Sequence, residues 1–478
     1  MNKRMSAALS TATALLLAVA GSAVAATGDV SGPTPYATCT LGGPGTNYLN
    51  AEVEPSVSVN PANPVSVIGA WQQDRWSNGG AHGLVAGYSA DGGATWAETP
   101  LPFSACAPGG APYERASDPW VSFGPDGTAY ANAISFDQST FRSAVTAATS
   151  SDGGKNWSNL ATLQAFDTAQ FFTDKNSITA DPLRAGVAYA VWDTLVEPMS
   201  NPRATLHTAA SSGPGYLSMT TDGGKHWSDP RVIFPTAMRQ QTIGNQIVVD
   251  RAHPGTVYDF ANWIQPPNSV TKTRSTVAFV KSTDGGQTWS DPVVVAQLGS
   301  VGVVDPNTGA AVRTGDIIPE PAIDPITGKL YVVWQDGRFS GGAYDTVAMS
   351  SSTDGGTTWT AAVEVSTRSG RAAFTPSIAV ASDGTVGVTY YDFRTLTASN
   401  TATLPTDYWF KSSKDGFSTD SHLAGSFDMM TAPNARGFFI GDYEGLSTSG
   451  RSFRPFFVAT NSGNTANPTD VFTTTITP

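Results

Sequence analysis

Ser89-Ala90-Asp91-Gly92-Gly93-Ala94-Thr95-Trp96 is the first of several copies of one motif, Ser-x-Asp-Gly-Gly-x-x-Trp, along this chain. One later copy begins with Thr and the last copy lacks the Trp. The aspartates of the six copies are Asp91, Asp152, Asp222, Asp284, Asp354 and Asp415, so successive copies lie 61 to 70 residues apart. A sustained period with variable insertions predicts a fold of repeated units whose loops carry the variation.

Each copy of the motif has the composition of a β-hairpin turn. Short runs rich in Val, Thr, Tyr and Ala precede it, as in Gly83–Ser89 and Thr276–Ser282. The Gly-Gly pair supplies the positive φ values that a tight turn needs, and the Asp can accept from nearby backbone N–H groups. The Trp is expected to pack back against the sheet, with its indole N–H bonded to a partner. A calcium loop is excluded because the spacing of oxygen ligands is wrong.

A second repeat precedes the boxes and extends beyond them. It reads as a short strand, a Gly/Pro turn and a longer strand that ends in an aromatic residue. Its seven copies are Glu54–Arg75, Asp118–Asp137, Lys175–Asp193, Asn245–Trp263, Glu320–Arg338, Thr375–Arg394 and Gly441–Thr460. The chain is therefore predicted to be all-β, a β-propeller of four-stranded antiparallel blades, with seven blades favoured and six as the alternative. The segment around Pro35–Thr40 is expected to complete the last blade and close the ring.

Composition and termini indicate an exported protein. Residues 1–25 have the pattern of a signal peptide, with Lys3 and Arg4, an apolar stretch and Ala23-Val24-Ala25 before the expected cut. Residues 26–50 form the predicted N-terminal segment, and residues 51–478 a single propeller domain. No later apolar run is long enough to span a membrane. The formal charge of −12 argues against nucleic acid and anionic membranes as partners.

Cys39 and Cys106 are the only cysteines of the chain. In an exported protein the simplest interpretation is one disulfide between them. Such a bond would tie the N-terminal segment to the end of the first repeat.

The face of the propeller opposite the boxes is predicted to carry any chemistry. It gathers the starts of first strands and the ends of second strands, and the long connections Trp76–Leu84, Thr194–Tyr216, Ile264–Ser275 and Thr395–Asp407 follow there. The second strands end in repeated acidic and basic residues: Gln73-Asp74-Arg75, Asp336-Gly337-Arg338 and Asp392-Phe393-Arg394. These endings are either one structural device used three times or a set of arginines delivered to one mouth. The sequence leaves both open.

The boxes and the strand pattern resemble the Asp-box sialidase superfamily of secreted propellers. That resemblance implies a glycoside hydrolase in which three arginines bind the sugar carboxylate. It also implies a Tyr nucleophile activated by a Glu and an Asp as general acid. The candidate catalytic residues here are Tyr443, Glu444, Glu320 and Asp74, and the candidate substrate-binding residues are Arg75, Arg338, Arg394, Asp392 and Trp76. The first strand opens with Glu54-Pro55-Ser56 where the family has Arg-Ile-Pro.

Three hypotheses about function follow. The first is a secreted exo-α-sialidase-like glycoside hydrolase that cleaves terminal sugars from glycoconjugates. The second is a non-catalytic propeller that binds glycan or protein through exposed aromatics such as Trp76. The third is a hydrolase of neutral polysaccharide that uses two carboxylates. No cofactor and no metal site is predicted, because the spacing of His and Cys fits no zinc site. Carbohydrate or glycoconjugate is the expected partner, and the oligomeric state is left open.

Overall fold

The structure, a computed structural model, describes residues 23–25, 27–196, 212–266 and 274–478. The described chain is built almost wholly of antiparallel strands, with 3-10 turns at Gly337–Ser340, Ser413–Asp415 and Met429–Thr431. It is the predicted all-β propeller of four-stranded blades. The predicted signal peptide lies outside the described residues except for its last three, of which Ala23 and Val24 pair with Thr477 and Ile476. None of the described helices has the length and apolar character needed to cross a membrane.

The strands of the blades follow one another in chain order. Blade 1 contains Glu52–Val59, Val67–Arg75, Ala81–Ser89 and Ala97–Leu101, and blade 2 contains Arg115–Phe123, Ala129–Phe136, Arg142–Ser150 and Ser158–Asp167. Blade 3 contains Phe171–Ala180, Ala188–Val196, Gly215–Thr220 and Arg231–Phe234, and blade 4 contains Gln241–Val249, Val257–Gln265, Arg274–Ser282 and Val293–Gln297. Blade 5 contains Glu320–Ile323, Leu330–Asp336, Thr346–Ser352 and Val363–Glu364, and blade 6 contains Ala373–Val380, Val386–Asp392, Pro405–Ser412 and Ser421–Asp428.

Blade 7 is assembled from both ends of the chain. Its strands Gly445–Ser449, Ser452–Thr460 and Thr469–Thr473 come from the C-terminal part, and Gly28–Asp29 pairs with the last of them. Two short strands, Ala23–Val24 and Ile476–Thr477, extend the same sheet. The N-terminal segment thus supplies the outer strand that four-stranded order requires.

The first strands of the blades form a closed ring. Each contacts the first strand of the next blade, and Gly445–Ser449 of blade 7 contacts Glu52–Val59 of blade 1. A cavity of about 210 Å³ runs along the axis, and all seven first strands contribute to its lining. We call it the axial cavity. Seven is therefore the number of blades that these contacts favour.

The box turns are the points where neighbouring blades are fastened together. Within the first box, Asp91 accepts from the backbone N–H groups of Ala94 and Thr95, and Gly92 and Gly93 have φ of 75° and 86°. Indole N–H groups of four boxes donate to the second glycine of their own box, as Trp289 does to the Gly286 carbonyl at 3.0 Å. The Trp rings then pack on the preceding blade, as Trp359 of blade 5 does on Phe260 of blade 4.

The segment that closes the ring differs from the expected one. Gly28–Asp29 pairs with Thr469–Thr473, and the Val30 N–H donates to the Val471 carbonyl. The expected segment, Pro35–Thr40, instead lies against blade 1, because its side chains are anchored there. The Tyr36 hydroxyl donates to the Leu84 carbonyl at 2.6 Å, and Cys39 forms the predicted disulfide with Cys106.

A small sheet outside the blades sits at the mouth of the ring. It joins Val303–Val304 and Ala311–Arg313, from the connection between blades 4 and 5, to Phe438–Phe439, from the connection between blades 6 and 7. The pairing of the last two strands is parallel, with Arg313 opposite Phe439. Two distant connections are thereby held side by side over the ring.

The disulfide closes a span of 67 residues, so its loss should destabilise the protein. We expect the double substitution Cys39→Ser with Cys106→Ser to lower the free energy of unfolding by about 2–4 kcal/mol. Urea denaturation monitored by Trp fluorescence measures this difference. Reducing the wild-type protein with dithiothreitol should have the same effect, whereas the variant should not respond to it. A wild-type protein indifferent to reduction would contradict the prediction.

Candidate functional site

The same β-bulge recurs in five of the first strands and turns one side chain of each out of the regular alternation. In blade 1 the pairing shifts between Val53 and Ser56, so two residues oppose one on the second strand. The first of the two bulged residues has positive φ in every case: Glu54, Asp118, Lys175, Gly244 and Thr375, with φ between 45° and 70°. Only Gly244 adopts this conformation without strain. Non-glycine residues held in left-handed conformation are characteristic of functional sites.

Three of these bulge residues meet in one buried charge cluster. The Lys175 ammonium lies 3.4 Å from a Glu54 carboxylate oxygen, 3.0 Å from Asp118 and 2.8 Å from Asp442. All four side chains are more than nine-tenths buried. Since each oxygen lies within 3.4 Å of one nitrogen, no two of them are farther apart than twice that distance. We call Glu54, Asp118, Lys175 and Asp442 the bulge cluster.

Two arginines extend the bulge cluster toward the small sheet. Arg313 makes a bidentate pair with Asp442, with distances of 3.1 Å from Nε and 2.5 Å from Nη2. The guanidinium carbons of Arg313 and Arg75 lie 4.3 Å and 4.7 Å from the centre of the Phe439 ring. Gly315 packs so closely on the Asp442 carbonyl that a Cβ there would overlap it. The small sheet therefore holds Arg313 and Asp442 in register with each other.

A cavity of about 460 Å³ opens beside the bulge cluster. Its volume is typical of a site for a small molecule. The polar part of its lining includes Asp118, Lys175 and Asp442 of the bulge cluster, together with Arg313 and Asp316. We call these five residues the polar floor. Two of the long connections expected at the mouth, residues 197–211 and 267–273, lie outside the described residues.

Two carboxyl groups of the polar floor are driven toward opposite protonation states. Burial raises the pKa of Asp316 above its ordinary value, and the nearby Asp442 carboxylate raises it further, against the hydrogen bond from the Ser300 hydroxyl at 2.6 Å. Burial acts in the same direction on Asp442, but Arg313 and Lys175 outweigh it and hold the pKa of Asp442 well below its ordinary value. Such a split suits one proton donor and one permanent anion.

Burial also governs the other members of the bulge cluster. It raises the pKa of Glu54 to about 8, although the Lys175 ammonium opposes the shift. The pKa of Lys175 is raised despite its burial, chiefly because the Asp118 and Asp442 carboxylates stabilise the ammonium. At neutral pH the bulge cluster therefore contains one ammonium and a largely protonated Glu54. Among the described residues, no group of three or more His, Cys, Asp or Glu is arranged to hold a metal ion.

Three of the four candidate catalytic residues lie together, but in the axial cavity. Tyr443, Glu444 and Glu320 all line it. Glu320 accepts from the Gln246 amide at 2.9 Å, and burial raises its pKa to about 8. Burial, followed by the charges of Glu54, Asp118 and Asp442, raises the pKa of Tyr443 well above its ordinary value. The Tyr443 hydroxyl has no hydrogen-bond partner among the described residues, whereas Glu444 interacts with the Tyr391 hydroxyl.

Asp74, the fourth candidate, lies apart from these three and anchors the N-terminal segment. It is fully buried and accepts from the Thr34 hydroxyl at 2.7 Å, from the Asn50 N–H at 2.8 Å and pairs with His82. Its neighbour Arg75 points the other way and lines the cavity. Burial lowers the pKa of Arg75 to about 10.

The remaining predicted binding residues are not brought to the cavity. Arg338 pairs with Asp336, which also accepts from the Trp334 indole. Arg394 repeats the arrangement, pairing with Asp392, which accepts from the Trp409 indole. Strand endings with Asp and Arg are thus a structural device in these two blades.

Trp76 is also unavailable for binding. Its ring is only 8% exposed and lies beneath the Arg115 guanidinium, whose carbon is 4.3 Å from the ring centre. The hypothesis of a binding face with Trp76 as an exposed aromatic therefore finds no such residue there.

Sequence reasoning assigned no role to Lys175, Arg313, Asp316 or Phe439. A signal for Lys175 was present, because it stands at the same place in its repeat as Glu54 and Asp118 do in theirs. A cation in register with two anions predicts pairing once the repeats are aligned. Arg313 and Asp316 belong to an insertion between blades, where no repeat indicates a partner.

Comparison with known proteins yields similar folds only. No family model matches the chain, and no curated protein matches it. A solved α-L-arabinofuranosidase of Fusarium graminearum is 14% identical, covering 77% of this chain and 92% of its own, with a TM-score of 0.47. An α-L-arabinanase of Penicillium chrysogenum is 10% identical over 94% of this chain and 98% of its own, with a TM-score of 0.46. A leech intramolecular trans-sialidase is 12% identical over 91% and 70%, with a TM-score of 0.42.

The substitution Lys175→Met tests whether the bulge cluster depends on its ammonium. It leaves buried carboxylates without their cation, so we expect the free energy of unfolding at pH 8 to fall by about 3–5 kcal/mol. The loss should shrink toward pH 5, where the unpaired carboxyl groups take up protons. Urea denaturation at both pH values measures this. Lys414→Met is the matched control: the Lys414 side chain is 52% exposed and lies 3.9 Å from Asp383, so it should change little.

Glu54→Gln tests the pKa of a buried acid. The folded protein holds a proton on Glu54 up to about pH 8, whereas the unfolded chain releases it near its ordinary pKa of about 4.3. The contribution of Glu54 to stability is therefore complete below about pH 4.3 and is lost as the pH rises to about 8. Gln cannot ionise, so the variant should gain stability relative to wild type across this range. Parallel urea midpoints of the two proteins from pH 5 to 8 would contradict this.

Proposed function

We propose that this chain is a glycoside hydrolase that works through carboxyl groups of the polar floor. The observation that carries the proposal is the pair Asp316 and Asp442, which line one cavity and interact electrostatically while their pKa values move in opposite directions. Glycosidases that use two carboxyl groups need this division, one acid to protonate the leaving oxygen and one anion beside the sugar.

Asp316 is the proposed general acid. It is half-buried in the lining of the cavity, so a sugar can reach it, and burial raises its pKa in the direction that a general acid needs. The Ser300 hydroxyl donates to its Oδ2 and orients the carboxyl group. The proton passes to the glycosidic oxygen as the bond to the anomeric carbon breaks. A water molecule then adds its oxygen to that carbon and returns a proton to the Asp316 carboxylate.

Asp442 and Asp118 are the proposed anions of the reaction. Arg313 and Lys175 keep Asp442 ionised, and a fixed carboxylate stabilises the positive charge that develops on the sugar ring. Lys175 also holds Asp118 at 3.0 Å, so the positions of both carboxylates are set before substrate binds. The left-handed backbone at Asp118 and Lys175 is consistent with a preorganised site.

A sialidase-type reaction is the second candidate, favoured by one specific observation. Tyr443, Glu444 and Glu320 line the same axial cavity, although Arg75 lies beside Phe439 and lines the larger cavity instead. A Tyr nucleophile would attack the sugar from the axis, with a Glu as its base. Against this, the raised pKa of Tyr443 opposes the loss of its proton.

Asp316→Asn is expected to lower kcat by about 10²–10⁴-fold on substrates with poor leaving groups. Substrates with a dinitrophenyl leaving group should be spared, since that group needs no proton. Activity is first located by reducing-sugar release from a panel of polysaccharides and nitrophenyl glycosides. Glu320→Gln is the matched control, because Glu320 is also a buried acid with a raised pKa but lies in the axial cavity. Equal losses in both variants, or no release by folded wild type, would contradict the proposal.

Hydrolysis of a fluorogenic sialoside separates the two candidates. Wild type, Tyr443→Phe and Asp316→Asn are compared at the same protein concentration. If the second candidate holds, Tyr443→Phe should lose turnover and Asp316→Asn should keep it. Asp316 is not part of that mechanism, and an aryl leaving group needs no general acid. The first candidate predicts the absence of sialoside turnover, together with activity on another member of the panel.

A further inference from the structure

An apolar surface made of four phenylalanines faces the same cavity as the polar floor. Phe136 ends the second strand of blade 2, Phe141 lies in the next connection, and Phe171 and Phe172 begin the first strand of blade 3. We call these four residues the aromatic wall.

One ring of the aromatic wall is partly exposed, and the connection that carries it is held in place. Phe141 is 45% exposed, the only aromatic residue among the exposed large hydrophobic residues of the described chain. Behind it, Glu114 accepts from the N–H groups of Gln138 and Ser139, at 2.8 Å and 3.0 Å. Two hydrogen bonds to one carboxylate oxygen therefore fix the connection that contains Phe141.

Asp137 supports the same connection from within. It accepts from the Thr140 hydroxyl at 2.8 Å and pairs with Arg142 at 3.2 Å. Arg142 also lies over the Tyr113 ring, with 4.8 Å from the guanidinium carbon to the ring centre. The residues on both sides of Phe141 are thus held in place.

The other phenylalanines of the wall are supported by aromatic neighbours. Phe172 makes an edge contact with Phe136, with ring centres 6.1 Å apart. Phe171 stacks on Phe166, which lies on the last strand of blade 2, with ring centres 4.7 Å apart. Phe136, Phe171 and Phe172 are thus each packed against another aromatic ring.

We infer that the aromatic wall is a subsite for a second sugar residue, the one joined to the residue cleaved at the polar floor. The inference rests on the proposed function, because the polar floor supplies the position of cleavage. A sugar ring presents C–H groups on one face and hydroxyls around its edge, so it suits a site that changes from aromatic to charged within one cavity. The preferred substrate is accordingly an oligosaccharide or polysaccharide rather than a single sugar on a small aglycone.

Binding measured against chain length tests this subsite independently of catalysis. Isothermal titration calorimetry is performed with two probe series: α-1,5-arabino-oligosaccharides of one to four residues, and sialic acid with 3′-sialyllactose. In one of the series, wild type should bind the two-residue or longer ligand more tightly than the single sugar. In Phe141→Ala, the affinity for the longer ligand should fall about 3- to 10-fold while the affinity for the single sugar changes little. In Phe141→Leu the fall should be smaller.

Ile326→Ala is the control, since Ile326 is 60% exposed on a turn between the first two strands of blade 5, away from the cavity. It should keep the full gain with chain length. The subsite is overturned if Phe141→Ala keeps that gain, or if wild type shows none in either series. Product analysis of the same mixtures treats the proposed function separately. A gain with length and no released sugar would leave the subsite standing and reject hydrolysis.

Discussion

The contact on which the whole ring depends is the one between each box turn and the preceding blade. The second glycine of the box lies so close to that blade that a Cβ at Gly154 would press on Ile68, and one at Gly356 would overlap the Phe279 ring. The Trp three residues later packs on the same blade. Because this contact is repeated, each blade is oriented by its predecessor, and the first strands converge on one axis.

Because the first strands converge on the axis, bulge residues of different blades come into contact. A left-handed residue costs about 1–3 kcal/mol wherever it occurs without glycine. At Asp118 and Lys175 the bulges bring an anion and a cation from different blades to 3.0 Å, a pair that no single blade could make. At Gly244 no side chain projects and no pair forms. The bulge is thus a shared backbone feature, and the residue placed on it decides whether a blade contributes chemistry.

The fold could be predicted from the sequence because its signals are local. A box is eight residues long, and its turn chemistry is complete within those eight, as the hydrogen bonds of Asp91 show. The residues of the site were much harder to predict from the sequence. Lys175, Arg313 and Asp442 come from three distant parts of the chain, and their meeting depends on bulges and a small sheet that strand alternation does not reveal. Arg338 and Arg394 were wrongly predicted to bind substrate, because the repeated Asp and Arg at these strand ends pair with each other.

The pairing of Gly28–Asp29 with Thr469–Thr473 has a consequence for how the molecule folds. Ser31 and Asp470, which bond beside this pairing, are 439 residues apart in the chain. The six blades between these partners must therefore be made before the two ends of the ring can meet. Folding should end in a slow closure step. At high protein concentration, the Gly28–Asp29 strand of one molecule would be able to pair with Thr469–Thr473 of another and complete its ring.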